Sequence, residues 1–300
     1  MLDWSQEACY KYTFPRLRDV VENGGHGAPD IIWTTAPGSS ALKEIFPNAK
    51  LIFHVVDYYP AFRGDVIKRV ERRDYLAADH IFSIGGAISD YLMTELEVPK
   101  GKITTLGQGV SLARYGEGGD NPEAMKSMKH PIGVYVGVVK KIDRLLLASV
   151  AQKLEEYGSG LIVIGPKADW AGSFQDDYPR TKFLGPKHPS EVSAYLNNAD
   201  FGLMLYDRSK PSVYRGQNPL KLYEYAAAGL PVLSTPHYEY EFLCPPVKII
   251  TSEEQIDQAV ETVLGDWKQL SEKMKLFAAK HTWASCVDRA QEVIEKLTKP

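Results

Sequence analysis

Short apolar runs alternate with longer amphipathic stretches along almost the whole chain, a pattern that predicts βαβ units and a parallel sheet. Before the middle of the chain it predicts strands near 30–35, 50–57, 80–84 and 103–106, with helices over 65–78 and 87–96. From Ala113 to Pro131 the sequence turns polar and carries Gly116, Gly118, Gly119 and two prolines, as expected of a linker between domains. A second series then predicts strands near 132–138, 160–164, 181–184, 201–206, 231–234 and 248–251. Helices are expected over 145–156, 190–197, 219–228 and 253–264, followed by a long helical stretch ending at Leu297. Four strands precede the linker and six follow it, so the first domain is predicted to be the smaller.

Composition narrows this picture without changing it. A chain of 300 residues suits about two domains, at roughly 150 residues each. With 44% hydrophobic and 24% charged residues, it can bury ordinary cores. The 35 Lys and Arg against 38 Asp and Glu leave no strongly basic surface, so nucleic acid is not an expected partner. No apolar run approaches the roughly 18–20 residues that span a bilayer. Asp3, Glu7 and Lys11 interrupt the start where a signal peptide would be apolar, and a cytoplasmic location is the expectation. Cys9, Cys244 and Cys286 form no C-x-x-C pair, and no histidines have helical metal-ligand spacing; His26, His80 and His281 read as surface or structural residues. No metal and no cofactor is therefore expected. A dehydrogenase is excluded by its missing fingerprint, since Gly107-Gln108-Gly109 lacks a third glycine.

The most informative segment runs from Tyr206 to Ser234, YDRSKPSVYRGQNPLKLYEYAAAGLPVLS. Asn218-Pro219 predicts a helix start, with Asn capping the first amides and proline in the first turn. Free N–H groups at such an end attract phosphate. Lys221 in the first turn is a cation for the same anion, and Glu224 projects from the same face three residues on. A carboxylate there suits the two hydroxyls of a ribose. The plain alternative is a surface ion pair between Lys221 and Glu224.

This segment resembles the donor motif of the GT-B glycosyltransferases, on Pro219, Lys221, Glu224, Ala226 to Gly229 and Pro231-Val232. More closely it is similar to the polysaccharide-synthesis branch with xanthan-type glucuronosyltransferases and teichuronic-acid transferases. Residues 130–147, HPIGVYVGVVKKIDRLLL, resemble the strand and loop that open the family's C-terminal domain. Residues 183–203, FLGPKHPSEVSAYLNNADFGL, resemble the strand, Gly-Pro turn and helix whose loop packs on the nucleobase. Residues 277–297 resemble a helix that crosses back onto the first domain. The resemblance covers roughly residues 50–297.

It implies an α/β protein of GT-B architecture, two Rossmann-like domains facing a cleft with the N-terminal one shortened. The divisions it implies are an incomplete acceptor-side domain over 1–118, which shows no glycine-rich first strand and loop, a donor domain over 119–275 and the crossing helix over 276–300. The implied activity is that of a hexosyl or glycuronosyl transferase. It takes sugar from a nucleoside-diphosphate sugar, a UDP-sugar by preference and UDP-glucuronic acid as a candidate. The acceptor is a saccharide or lipid-linked saccharide of cell-surface polysaccharide synthesis. The alternative is a non-catalytic nucleotide-sugar-binding protein or subunit that needs a partner to complete the acceptor side.

The implied donor-binding residues are Tyr206, Gln217, Asn218, Lys221, Glu224, Lys140, Gly137 and Pro186, with Lys141 a rival to Lys140. Many retaining members carry a second Glu eight positions before the ribose-binding one; here that position is Gly216, so inversion is expected. Inversion needs a general base to deprotonate the acceptor hydroxyl. Asp57 is the candidate, because it ends the strand LIFHVVD and ligands of open α/β sheets bind beyond the carboxyl ends of strands. A turn cap or an ion pair with Arg63 is its structural alternative. His54 is a rival base, expected rather to be a core histidine. Only the weak Asp176-Asp177 pair approaches a D-x-D motif, so metal independence is expected. Arg208 and Arg215 are candidates to pair with a uronate, or else loop charges. Gly85-Gly86 reads as a strand-to-helix turn. The aromatic and basic mixture of Tyr10 to Arg18 suits either core packing or peripheral contact with anionic lipid on the inner face of the membrane.

Overall fold

In the computed structural model residues 6–116 and 118–299 are described, apart from the side chains of Gln6, His26, Ser212 and Val213. Asp3 therefore lies outside the described residues, as does the side chain of His26. Among the described residues ten strands form, four in one sheet and six in another, and every pairing within them is parallel.

The first sheet has the order β1 (Ile31–Thr34), β2 (Lys50–Val55), β3 (His80–Ser83) and β4 (Ile103–Thr105). Helices α1 (Ile67–Ala77) and α2 (Gly86–Thr94) lie between strands in sequence. Side chains of β2 alternate between two faces, and both faces are covered, which is why the strand reads as one continuous apolar run. Leu51, Phe53 and Val55 pack with Tyr75 of α1 and Ile88, Tyr91 and Leu92 of α2. Ile52 faces the other way, with Phe82, Leu106 and the C-terminal helix residues Ala290, Val293, Ile294 and Leu297. Buried carboxylates fasten this unit. Glu71 accepts from the hydroxyls of Tyr75 (3.1 Å) and Tyr91 (2.7 Å), and burial pushes its carboxyl above the usual range. Asp74 receives the Ser40 hydroxyl at 2.5 Å and the Gly38 N–H, fixing the loop after β1.

The second sheet contains β5 (Lys129–Val136), β6 (Ser159–Ile164), β7 (Thr181–Gly185), β8 (Phe201–Met204), β9 (Val232–Ser234) and β10 (Lys248–Ile249). Its spatial order is β10-β9-β8-β5-β6-β7. Counted from its own first strand, this is the 3-2-1-4-5-6 order of the dinucleotide-binding fold, whose direction reverses between the first and fourth strands. Those strands are β5 and β8, paired through Gly133 to Phe201 and Val134 to Gly202. Helices α3 (Arg144–Glu156), α4 (Pro189–Asn197), α5 (Leu220–Ala227), α6 (Ile256–Gly265) and α7 (Trp267–Lys280) belong to this unit, and α8 (Trp283–Thr298) starts in it.

Three expectations meet a different arrangement. Residues 113–131 are not a spacer: Tyr115 and Met125 sit in the second unit's core, and two short helices, Leu112–Gly116 and Glu123–Lys126, form there. The division accordingly falls between Gly107 and Gln108 rather than at 118. The long helical stretch to Leu297 is broken between α7 and α8. At the break the Val110 N–H bonds the His281 carbonyl (3.0 Å), and Thr282 Oγ1 receives the Ser285 N–H (3.2 Å), opening a new helix. Gly109 lies so close that a Cβ on it would stand 2.7 Å from Trp283 Cα. Beyond the break, residues 286–299 cluster with the first unit, the Cys286 thiol bonding the Leu106 carbonyl.

The third concerns residues 215–218, which also cluster with the first unit. Arg215 pairs with Glu95 at 2.6 Å and donates to the Tyr58 hydroxyl at 3.2 Å. Asn218 donates its side-chain amide to the Ile84 carbonyl at 2.8 Å. Asn218 is therefore not the cap of α5; Pro219 takes that position, with φ −74 and ψ 120 and no side-chain cap bond.

Candidate functional site

Helix α5 carries Lys221 and Glu224, and its own buried face fixes where they stand. The Tyr225 ring lies on Gly202 of β8, where a Cβ would meet the ring at 2.8 Å. Its hydroxyl accepts the Val136 N–H (2.9 Å) and donates to the Leu203 carbonyl (3.3 Å), so one tyrosine pins α5 across the β5–β8 switch point. The helix ends at Gly229 (φ +67), where Gly229 N–H bonds Ala226 O (2.9 Å) and Leu230 N–H bonds Tyr225 O (2.8 Å). This is the Schellman closure, which needs the left-handed residue. Tyr225→Phe leaves the Val136 N–H without its acceptor and is expected to lower stability by about 1–3 kcal/mol, read by urea unfolding. Unchanged stability would show that α5 is held without this bond.

Lys221 reaches back beneath the carboxyl ends of β5 and β8. Its ammonium stands 4.2 Å from the Tyr135 ring centroid and 4.7 Å from that of Tyr206. Tyr206 is itself buried, packed on Tyr214 at 4.8 Å. Among the described residues, Lys221 forms no ion pair with Glu224 or any other carboxylate within 4.0 Å, so the surface ion-pair alternative does not hold. Burial lowers its basicity to about 7; the positive charge of Lys141 adds to this, and Glu224 opposes it. The site thus holds a half-buried cation against two aromatic faces, the arrangement that a bound anion would complete.

Gly137, just past β5, belongs to the same place. A Cβ there would stand 3.3 Å from the Tyr135 hydroxyl and 3.4 Å from Lys221 Nζ, and its φ of +137 suits only glycine. Gly165, past β6, packs so closely on the Gly137 backbone that any side chain would collide. Glu224 accepts the Tyr115 hydroxyl at 2.8 Å, which leaves its second carboxylate oxygen for another donor. Burial, and then the Glu224 charge, raise the Tyr115 phenol above its ordinary range.

The structure therefore brings together Gly137, Tyr206, Lys221 and Glu224 in the second unit and adds Tyr135, Tyr115, Gly165 and His237, which sequence reasoning missed. Tyr115 lies 109 positions from Glu224, and no local pattern signals such a pairing. Lys140 is exposed and lines a different cavity of about 610 Å³, with Arg144, Trp170, Asp207 and Lys210. Of the two rival lysines, Lys141 is the one whose charge is felt at Lys221. Pro186 follows Gly185 (φ +73) on an exposed loop after β7, the edge strand, two places from β5. Gln217 is half-buried and clusters with Asn218 in the first unit.

Gly216 explains its departure from the retaining pattern: its Cα faces Tyr58 and Ile88, and a Cβ would lie 2.7 Å from Ile88 Cδ1. A glutamate has no room there. Arg208 is neither a solvated loop charge nor free for a uronate. It pairs with Asp143 (2.7 Å) and Glu253 (2.5 Å) and donates to the Thr251 carbonyl (2.6 Å), while Asp143 also caps α3. Arg215 is likewise engaged with Glu95.

In the first unit, Asp57 lies two residues beyond β2 and is half-buried. Burial, and after it the Asp57 charge, pushes the Tyr59 phenol up to about 12. His54 is half-buried on β2 with its ring edge on Trp33 (5.8 Å), and burial lowers its basicity, as suits a core histidine. Among the described residues no group of three or more His, Cys, Asp or Glu is placed to hold a metal ion. No described helix is long and apolar enough to cross a membrane.

No family model matches the chain. A protein of Bacillus subtilis (strain 168) named "Putative teichuronic acid biosynthesis glycosyltransferase TuaH" is 27% identical over 242 residues, which cover 74% of this chain and 59% of that protein. The chain thus spans less than two thirds of that relative's length. Among solved structures, sucrose-phosphate synthase (tll1590) of Thermosynechococcus elongatus superposes with a TM-score of 0.71 at 17% identity, covering 97% of this chain and 79% of that one. Anabaena Alr3699/HepE in complex with UDP-glucose gives 0.71 at 12% identity, covering 93% and 81%. In fold the chain is a GT-B protein of two Rossmann-like units, and in sequence it is a relative of a teichuronic acid glycosyltransferase.

Proposed function

We propose that the chain is a glycosyltransferase that takes a sugar from a UDP-sugar and passes it, with inversion, to a saccharide acceptor in cell-surface polysaccharide synthesis. The observation that carries this reading is the Lys221 ammonium. It is held on Tyr135 and Tyr206, with no carboxylate within 4.0 Å among the described residues, at the switch point where α/β sheets bind nucleotides. Lys221 neutralises the diphosphate as it leaves with the nucleoside. Glu224, held through one oxygen by Tyr115, accepts from the ribose hydroxyls. Gly137 lets the diphosphate approach the backbone, and the loop of Gly185 and Pro186 flanks the base. Asp57 takes the proton of the acceptor hydroxyl.

A solved structure of similar fold holds UDP-glucose, and the relative by sequence is named for teichuronic acid synthesis, both of which favour this class of donor and pathway. The closed position at Gly216 favours inversion over retention. With Arg208 and Arg215 engaged in ion pairs, the reading does not extend to a uronic acid donor. Exposed Tyr12 and Phe14 beside Arg16 favour peripheral contact with a membrane that carries a lipid-linked acceptor.

A thermal-shift screen of UDP, GDP, ADP and their glucose conjugates tests the donor class. UDP and UDP-glucose are expected to stabilise the protein by about 2.7 kcal/mol at a hundred times their dissociation constant. A shift with GDP or ADP alone would reassign the base, and no shift with any nucleotide would end the donor-site reading.

A further inference from the structure

His237 lies past β9, the strand next to β8, and its ring packs on the same Tyr206 ring as Lys221, at 5.5 Å between centroids. It is only 6% exposed. Its Nδ1 accepts the Glu239 N–H at 3.4 Å, and a neutral imidazole with an accepting Nδ1 carries its proton on Nε2. That Nε2 is buried and, among the described residues, has no hydrogen-bond partner. Buried donors without partners are rare and call for an explanation.

The loop that carries the ring is held by its own bonds. Thr235 Oγ1 accepts the Tyr206 N–H at 3.0 Å and donates to the Met204 carbonyl at 3.2 Å. Ser234 Oγ is bonded to the Tyr240 hydroxyl at 2.8 Å, and the Tyr240 N–H bonds the His237 carbonyl at 2.9 Å. The imidazole is also clamped between the Tyr206 and Tyr240 rings, the latter at 5.4 Å.

We infer that His237 is a donor-binding residue whose Nε2–H is held ready for an oxygen of the nucleoside diphosphate that Lys221 neutralises. Burial and the Lys221 charge lower its basicity to about 4, so it serves as a neutral hydrogen-bond donor and adds no second charge. A neutral donor beside a cation lets the two groups share one anion without repelling each other. The assignment rests on the proposed donor site, and its test separates the two.

UDP binding is measured by calorimetry for the wild type, His237→Phe, His237→Gln and Lys221→Ala. His237→Phe keeps the ring packing and removes the N–H, and is expected to weaken UDP about tenfold. His237→Gln, which restores an N–H, should recover most of the affinity. In the wild type, the Nε2–H resonance of 15N-labelled His237, assigned through its loss in His237→Gln, should move downfield and exchange more slowly when UDP is added. If Lys221→Ala loses UDP while His237→Phe binds it like the wild type and the resonance does not move, His237 is structural and the donor site stands. If the wild type itself does not bind UDP, the donor-site reading fails and His237 falls with it. Should His237→Phe not fold, the wild-type resonance decides alone.

Discussion

Replacing Lys221 by methionine is expected to make the protein more stable while reducing its affinity for UDP-glucose at least about a hundredfold. The two effects have one cause. Methionine matches the length of the lysine stem and fills the same space on Tyr135 and Tyr206, but it removes the charge. In the unfolded chain the amine titrates near 10.5, and in the folded protein near 7, because folding strips water from it beside Lys141. Each unit of that difference is worth about 1.4 kcal/mol. The two ring faces return part of it, about 0.5–2 kcal/mol. A net gain of about 2–4 kcal/mol for the variant follows, measured by urea unfolding at pH 6.

The pH dependence has a definite sign. A lysine whose basicity is lowered by folding destabilises the native state fully below about 7, and the penalty fades as pH rises toward 10.5. The advantage of Lys221→Met should therefore be largest at pH 6 and shrink steadily through pH 9. Donor affinity runs in the same direction. UDP-glucose has no phosphate that titrates in this range, and the free protein loses the Lys221 charge above about 7. Wild-type affinity should fall from pH 6 to pH 9, and that of the variant should stay flat. A variant that binds UDP-glucose as tightly as the wild type would remove Lys221 from the site, however stable it proved.

Asp57→Asn is expected to reduce transfer by about 10²–10⁴-fold while leaving UDP affinity unchanged, the range by which positioned general bases contribute. The amide keeps the shape of the carboxylate and its capacity to accept a bond, but it cannot take a proton. Burial, and then the Asp57 charge, hold the Tyr59 phenol up to about 12. The phenol should titrate lower in the variant, which a spectrophotometric titration would register and which confirms that the intended charge was removed. Loss of transfer together with loss of UDP binding would point to a structural role. Normal turnover would refute the base assignment. If the wild type binds UDP-glucose yet transfers to no acceptor, the chain is better described as a nucleotide-sugar-binding subunit.

Part of this site was legible in the sequence because it depends on local periodicity. Lys221 and Glu224 share a helix face at any i, i+3 spacing, and the apolar runs of β2, β5 and β6 need no distant information to be read as strands covered on both sides. The Asn218 cap was misjudged for the opposite reason. Asn-Pro before a helix has the right local chemistry, but the amide found the Ile84 carbonyl, 134 positions away in the chain. Polarity alone made residues 113–131 look like a spacer, although Tyr115 and Met125 are committed to a core and Tyr115 to Glu224.

The sequence by itself determined the ten strands, their division into four and six, and the helix that carries the lysine and the glutamate. Periods of two and 3.6 residues are properties of the local backbone, and they survive in any tertiary setting. Only the tertiary structure decided that the lysine rests on Tyr135 and Tyr206, that Gly216 leaves no room for a second glutamate, and that His237 stands beside Tyr206 with an Nε2 that has no partner among the described residues. The placement of the lysine and of His237 follows from parallel pairing, which sets the carboxyl ends of β5, β8 and β9 side by side although long crossovers separate them in the chain; that of Gly216 follows from its packing on Tyr58 and Ile88.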